Sequence, residues 1–418
     1  MNLTEKIIAK HANRDNVKPG EIVEVSIDWC MANDATISLN IDIFKNEFGF
    51  TNVWDSEKII FINDHQIPAD SVNTAAVHQK TREFCKNQGI QCHESDGVCH
   101  QLMFEKYVKP GELVVAADSH TCSYGCVGAV STGMGSTDIA AVMGTGKTWL
   151  KVPETIKIDL NGILQKGVFA KDVILKIIKD LSASGATYKT VEFSGEVTSR
   201  FSISERFTMC NMVIEAGGKS AMVAPDEKVV SMFQNKNIDW DFLTTDSNAA
   251  YSQTITYNLS DLTPQVACPH FVDNVKDIKK VEGIKIDQAF LGSCTNGRFD
   301  DLTIGANLLK GKKVASDVRL LVTPASVDIY REALNQGIIN IFLEAGAMIN
   351  HPGCSTCWGA CQGVLTKGQT MISSANRNFK GRAGSPESDI YLASPATVIA
   401  SAIVGKITDP RKFLEDIK

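Results

Sequence analysis

Three of the twelve cysteines stand where a polypeptide could hold a metal. Cys354 and Cys357 form a C-x-x-C motif, and the flanking proline and glycines permit the tight backbone that metal-binding loops need. Cys294 lies far upstream, in the segment Leu-Gly-Ser-Cys-Thr-Asn-Gly-Arg. Three thiolates without a fourth ligand favour an iron–sulfur cluster with one iron open to substrate. A zinc site that recruits His351, a redox dithiol and a chance spacing remain alternatives for the C-x-x-C.

Polar side chains able to do chemistry follow four predicted strands, at the point where each strand ends. These segments are Asp64-His65, Asp118-Ser119-His120, Ser293-Cys294 and Asn376-Arg377. In open α/β sheets, ligands bind beyond the carboxyl ends of the strands. The sequence therefore predicts one cleft shared by the four segments, although this pattern alone does not name a reaction.

The elements that must position these residues alternate between short apolar strands and longer amphipathic helices. Predicted strands cover residues 23–27, 58–62, 113–117, 289–291, 320–323 and 370–373, and predicted helices cover 75–87, 171–181 and 326–335. Such alternation is typical of an α/β fold. Shifts in composition near Val152–Pro153 and between Thr263 and Asn274 predict three α/β domains, at residues 1–152, 153–270 and 271–418.

The overall charge argues against two classes of partner. The 418 residues carry a net charge of −6 and a pI near 5.8, and no stripe of Lys and Arg is interleaved with aromatic residues. Binding to nucleic acid or to an anionic membrane surface is therefore not expected. The sequence contains neither a signal peptide nor an apolar run of transmembrane length, which predicts a cytoplasmic protein with free thiols.

Six motifs together resemble those of the aconitase superfamily. The cysteine segments at 292–298 and 354–357 are similar to the superfamily's two cluster motifs, and the segments 376–385 and 391–396 resemble its substrate-binding region. Three further matches are Asp64-His-Gln66, Gly97-Val-Cys-His-Gln101 and Asp118-Ser-His-Thr121. Their joint occurrence in order over most of the chain makes the resemblance specific.

Two positions depart from the superfamily pattern. Ser355-Thr356 stands inside the second cysteine motif, where a pair such as Gly-Pro is usual. Ser38 stands where aconitases carry a glutamine that contacts substrate, which argues against citrate as the substrate.

The resemblance implies a fold and a cofactor. The fold would be an aconitase-like α/β fold in which three α/β/α layered domains surround a [4Fe–4S] cluster and the swivel domain is lacking. Cys294, Cys354 and Cys357 would hold three irons and leave the fourth open to substrate.

The resemblance also implies a reaction, the removal of water from a β-hydroxy acid and its re-addition at the neighbouring carbon. Hydroxide is a poor leaving group, so its departure needs a Lewis acid and a proton. The implied catalytic residues are Asp64, His65, His100, Asp118, His120 and Glu215, with the Asp64–His65 pair as the acid. The implied substrate-binding residues are Ser119, Asn211, Asn376, Arg377 and Arg382.

The compact length resembles the large subunits of isopropylmalate dehydratases and homoaconitases. This resemblance implies a hydro-lyase for a malate-type hydroxy acid, with 3-isopropylmalate favoured and with homoaconitate, methylmalate or citraconate, and 2,3-dimethylmalate as alternatives. Because the chain ends at Lys418, the swivel domain is expected on a separate small subunit, in a heterodimer or heterotetramer. An RNA-binding regulator and a zinc-stabilised scaffold are the rival functions.

Overall fold

The computed structural model describes residues 1–359 and 362–413 of the chain. The N-terminal part of this range is built on a parallel sheet covered by helices. Its strands are β1 (Ile22–Ser26), β2 (Trp29–Asn33), β3 (Ile59–Asn63), β4 (Gln91–Glu94), β5 (Leu113–Ala116), β6 (Val130–Gly133) and β7 (Lys147–Lys151), and its helices are α1 (Leu3–His11), α2 (Ile37–Asp42), α3 (Val72–Gln88), α4 (Cys99–Lys106) and α5 (Ser136–Thr145). The strand order is β4-β3-β2-β5-β6, and β1 pairs separately with β7. Strand β3 is buried at every position, as expected for a parallel sheet with both faces covered.

The middle part is a second parallel sheet, with the strand order β10-β9-β8-β11. Its strands are β8 (Thr155–Asn161), β9 (Thr190–Ser194), β10 (Ser220–Val223) and β11 (Gln253–Asn258), and its helices are α6 (Ala170–Leu181), α7 (Glu196–Arg200), α8 (Ile203–Asn211) and α9 (Glu227–Met232). Helix α8 begins with a capping box, in which the Ser202 side chain accepts from the N–H of Glu205 while the Glu205 side chain accepts from the N–H of Ser202.

The C-terminal part is a seven-stranded mixed sheet, with the order β13-β12-β18-β17-β14-β15-β16. Its strands are β12 (Gln265–Ala267), β13 (Val275–Asp277), β14 (Gln288–Leu291), β15 (Arg319–Val322), β16 (Met348–Ile349), β17 (Thr370–Ser373) and β18 (Asp389–Leu392), and its helices are α10 (Ser293–Asn296), α11 (Phe299–Leu309), α12 (Val327–Asn335), α13 (Ile338–Ala345) and α14 (Pro395–Val404). Among the described strands of this sheet, β12 runs antiparallel to both of its neighbours, β13 and β18, and the other neighbouring strands pair in parallel.

One hydrophobic core joins the three sheets. It contains Val114 of the first sheet, Ile158 of the second and Phe290 of the third, and it reaches Cys294 and Cys354. The three layered units therefore meet around a common centre, which confirms the predicted α/β fold.

The predicted elements are present, with boundaries that differ by at most three residues. The predicted domain boundaries remain predictions, and strand β12 belongs to the third sheet although it precedes residue 271. Among the described residues, no helix is both long enough and apolar enough to cross a membrane.

Candidate active site

The carboxyl ends of strands from the first and third sheets face one cavity of about 150 Å³. Of the predicted site residues, those in the cavity wall are His65, His100, Asp118, Ser119, His120, Cys294, Cys354, Cys357, Asn376, Arg377 and Arg382. The other three, Asp64, Asn211 and Glu215, lie directly behind this wall and hydrogen-bond to it. The structure thus brings together all four strand-end segments that the sequence predicts to share a cleft.

The three cysteine side chains come from two separate segments. Cys294 follows strand β14 at the start of α10, whereas Cys354 precedes a short 3₁₀ turn and Cys357 is the last residue of that turn. All three are at most 6% exposed, and none is in a disulfide. The backbone N–H of Cys354 donates to the carbonyl of Asp64 over 2.7 Å, so the second cysteine segment is fixed to the end of strand β3.

The surroundings of the three sulfur atoms are suited to thiolates. The amide groups of Asn211 and Asn376 donate to the Sγ of Cys294 over 3.3 and 3.6 Å. A hydrogen bond from the Cys354 thiol and the positive charge of Arg382 hold the pKa of Cys357 well below its usual range, although burial opposes this shift. Burial raises the pKa of Cys294 to about 12, so a thiolate there needs a positive partner such as a metal. Three buried sulfur donors with amide and guanidinium donors around them fit an iron–sulfur cluster.

The structure does not support His351 as a fourth, zinc-type ligand. This side chain is exposed, its Nδ1 lies 3.0 Å from the carbonyl of Pro352, and it is not part of the cavity wall.

His65 is held between two carboxylates. Its Nδ1 lies 2.7 Å from Oδ1 of Asp64 and 3.4 Å from Oδ1 of Asp34. Burial favours the neutral imidazole, but the negative charges of Asp64 and Asp34 outweigh it and raise the pKa of His65 well above its ordinary value. The imidazole is therefore protonated at neutral pH and can donate a proton into the cavity.

A network of hydrogen bonds links five predicted residues. Nε2 of His100 donates to Oδ1 of Asp118 over 2.8 Å, and the same oxygen accepts from the backbone N–H of His120. Nε2 of His120 donates to Oε1 of Glu215 over 2.9 Å, and Nε of Arg377 donates to that oxygen over 2.8 Å.

The two carboxylates in this hydrogen-bond network, Asp118 and Glu215, are both ionised. Burial opposes ionisation, yet His100 and His120 hold the pKa of Asp118 well below its usual range. The hydrogen bond from His120 and the charge of Arg377 likewise lower the pKa of Glu215 against the effect of burial. These fixed carboxylates orient the two histidines. Of the nitrogens of Arg377, only Nε donates to Glu215, so the two terminal nitrogens of this guanidinium remain able to bind a group in the cavity.

Five residues that sequence reasoning missed also form the site. Asp34 accepts from the backbone N–H groups of His65 and Gln66, Tyr124 contacts Nδ1 of His100, and Cys99 and Trp358 line the cavity. Nζ of buried Lys171 donates to the carbonyls of Ser374 and Ala375, over 2.7 and 2.6 Å. Asp34 directly follows strand β2, so the same strand-end rule could have found it.

The two departures from the superfamily pattern have different outcomes. The Ser355 hydroxyl accepts from Asn350 over 2.9 Å and donates to Gln362 over 3.0 Å, so it ties down the cysteine loop. Ser38 binds Nζ of Lys80 and is not part of the cavity wall.

Comparison with known proteins gives one family over nearly the whole chain. The Aconitase family (aconitate hydratase) matches residues 5–282 and 275–405. A probable 3-isopropylmalate dehydratase large subunit from Methanothermobacter thermautotrophicus is 48% identical, and the alignment covers 98% of this chain and 99% of that protein. A 3-isopropylmalate dehydratase large subunit from Halothermothrix orenii is 46% identical over 99% of this chain and 100% of its own length. A probable methanogen homoaconitase large subunit, also from M. thermautotrophicus, is 45% identical over 99% and 98%.

The solved structures add a likeness of fold. The holo-form crystal structure of Thermococcus kodakaraensis aconitase X matches with a TM-score of 0.51 and 15% identity, over 85% of this chain and 84% of that chain. The family match, the full-length relatives and the fold agree with the resemblance carried by the six motifs, and the chain belongs to the aconitase family.

Proposed function

We propose that this chain is the large subunit of a hydro-lyase that dehydrates and rehydrates a malate-type hydroxy acid, with 3-isopropylmalate as the favoured substrate. The observation that carries the proposal is the single cavity that gathers three buried thiols, a protonated histidine and two arginines. Near 48% identity to dehydratase large subunits over the full length supports the same activity.

The cofactor implied by the family is a [4Fe–4S] cluster, and the residues that would hold it are Cys294, Cys354 and Cys357. Such a cluster, when bound, supplies the Lewis acid that a hydroxide leaving group needs. Asn211, Asn376 and Arg382 donate to the sulfur atoms and would stabilise their negative charge.

The proton for the departing hydroxyl comes from His65. Its carboxylate partners Asp64 and Asp34 keep the imidazole charged and fix the orientation of its ring. His100 and His120, each oriented by a carboxylate, face the same cavity and exclude or order water there.

The arginines bind the substrate's carboxylates. Guanidinium groups of Arg377 and Arg382 line the cavity and present planar pairs of donors that match a carboxylate. The hydroxyl of Ser119 adds a donor on the same wall, whereas the amide of Asn376 already donates to the Sγ of Cys294 and to Oγ1 of Thr295. A small acid with two carboxylates and one hydroxyl therefore fits the charge of the cavity.

Homoaconitate is the second candidate substrate. A homoaconitase large subunit and a 3-isopropylmalate dehydratase large subunit from one organism are 45% and 48% identical to this chain, so overall identity hardly separates the two activities. We infer that the side group that distinguishes these acids is read by the small subunit, since the residues described above all address groups that the acids share.

The test is reconstitution of the chain with iron, sulfide and its small subunit without oxygen, followed by turnover of 3-isopropylmalate, homoaconitate, citraconate and 2,3-dimethylmalate. The preparation should be brown and carry about four irons per large subunit. Cys294→Ser should lose the iron and all turnover, while Cys126→Ser, a change at a buried cysteine outside the cavity wall, should keep both. Zinc in place of iron, or full activity of Cys294→Ser, would refute the assignment.

A further inference from the structure

A pair of cysteines lies outside the active-site cavity, between helix α3 and strand β4. Cys85 is in the last turn of α3 and buried, whereas Cys92 is in β4 and half-buried. Neither belongs to the cavity wall, and neither is in a disulfide.

The geometry of the two elements brings these thiols face to face. Nη1 of Arg82, on α3, donates to both carboxylate oxygens of Glu94, on β4, over 2.8 and 2.9 Å. Cys85 lies on the same helix face as Arg82, three residues on, and Cys92 lies on the same strand face as Glu94, two residues back. The chain turns between α3 and β4, and Cys85 and Cys92 are each nearer to this turn than Arg82 and Glu94. The two cysteines are therefore expected to meet across the two elements, closer to the turn than the Arg82–Glu94 pair. Cys85 lies in a buried hydrophobic cluster against which Cys92 packs, so the two thiols are close enough to affect each other's ionisation.

The two thiols differ in reactivity. The hydrogen bond from Cys85 lowers the pKa of Cys92, and the charge of Arg82 adds to this, against burial and the charge of Glu94. The same hydrogen bond, together with burial, raises the pKa of Cys85. Cys92 is thus both the more accessible sulfur and the one that ionises more easily, which are the properties of an attacking thiolate.

We propose that Cys85 and Cys92 form a redox-active dithiol that is converted to a disulfide by a peroxide. The Cys92 thiolate attacks one oxygen of hydrogen peroxide, which breaks the O–O bond, releases hydroxide and leaves a sulfenic acid on Cys92. The Cys85 thiol then attacks the sulfenic sulfur, and water leaves as the S–S bond forms. Each sulfur loses one electron, and the hydroxide takes up the proton that Cys92 lost on ionising, so that one peroxide is reduced to two waters. The inference does not depend on the proposed dehydratase activity.

The disulfide would link two elements that reach the active site. Strand β4 leads through residues 95–98 into α4, which carries His100, and α3 carries His78, whose Nε2 lies 3.4 Å from Oδ2 of Asp34. A covalent bond between α3 and β4 would therefore join the helix that contacts Asp34 to the strand that leads to His100.

The test is disulfide mapping on the cluster-containing full chain, treated with hydrogen peroxide, alkylated and digested with trypsin without reductant. Cleavage after Arg82, Lys86 and Lys106 places Cys85 in peptide 83–86 and Cys92 in peptide 87–106. The disulfide-linked pair of these peptides should be the main oxidised product and should disappear with dithiothreitol. Fragmentation must assign the bond to Cys92, because Cys99 lies in the same peptide.

Two variants sharpen this experiment. Cys85→Ser should form no linked pair and should instead accumulate a Cys92 sulfenic acid that dimedone traps, whereas Cys268→Ser, at a buried cysteine in the third unit, should form the pair as the wild type does. Cys92 that remains alkylatable while other thiols oxidise, or that bonds to any other cysteine, would overturn the proposal. The wild-type mapping decides the question even if a variant fails to fold.

Discussion

At the scale of single residues, the charge of His65 depends on the buried carboxylates that contact it. His65 is the residue on which the proposed proton transfer depends, because Asp64 and Asp34 keep it charged where burial alone would neutralise it. His65→Ala should keep its iron but lose about 10²–10⁴-fold in turnover, the usual contribution of a positioned acid. Iron content and turnover measured on the same preparation separate the two effects, and wild-type turnover would disprove the role.

The control for this variant must be chosen from the structure. His78 looks independent in the sequence, but it is buried and contacts Asp34, one of the two carboxylates that hold His65. His270, which is partly exposed and contacts Asp389, is the better control, and His270→Ala should retain normal turnover.

The raised pKa of His65 predicts a dependence on pH. Since a histidine with a raised pKa holds its proton at neutral pH, the contribution of His65 should be complete below that pKa and lost as the pH rises through it. Asp34→Asn removes one of the two carboxylates that raise the pKa, so the alkaline limb of the turnover profile should move to lower pH. Asp42→Asn, at an exposed carboxylate paired with Lys80, should leave the profile unchanged. An alkaline limb unmoved by Asp34→Asn would contradict the coupling.

At the scale of elements, the cysteine loop depends on a close approach that only glycine allows. Gly359 has φ +59°, and a Cβ there would lie 2.2 Å from Cα of Ala383. Gly368 has φ +78° but open space around it. Gly359→Ala and Gly368→Ala therefore both introduce a left-handed backbone strain of about 1–2 kcal/mol, and only Gly359→Ala adds a steric clash. Gly359→Ala should bind clearly less iron than Gly368→Ala when both are reconstituted in parallel. Equal iron contents would show that the approach of this loop to Ala383 does not position the cysteines.

The sequence predicts the elements better than it predicts their contacts. Strands β3, β5, β14 and β17 and the polar residues after them are visible as apolar runs with polar ends. Strand β2, in which three of the five residues are polar or sulfur-bearing, is not predicted from the sequence, and Asp34 is missed with it. Lys171 shows why the remainder needs the structure. A lysine in the first turn of a predicted amphipathic helix is expected to be solvated, yet its ammonium group is buried against two carbonyls that precede Asn376.

At the scale of the whole molecule, the first and third sheets together supply the described wall of one cavity. Dehydration needs an acid at the hydroxyl and a base at the adjacent carbon. In the part of the wall that the structure describes, the carboxylate of Asp118 is already engaged by His100 and His120. Among the described groups, the Ser119 hydroxyl most resembles a catalytic base of the serine–histidine type, because it lies 3.4 Å from Nδ1 of His120. Either Ser119 takes the proton, or a partner supplies the base.

We expect the partner to supply it, because the relatives are named large subunits and are matched over 98–99% of this chain. The reconstituted chain alone should then show no turnover, and added small subunit should restore it along a saturable curve that ends near one small subunit per large subunit. Ser119→Ala should keep measurable turnover in the complex, with a raised KM from the lost substrate contact. Turnover by the isolated chain, confirmed free of partner by mass spectrometry and abolished by Ser119→Ala, would instead place the base on this chain and make the small subunit dispensable for the chemistry.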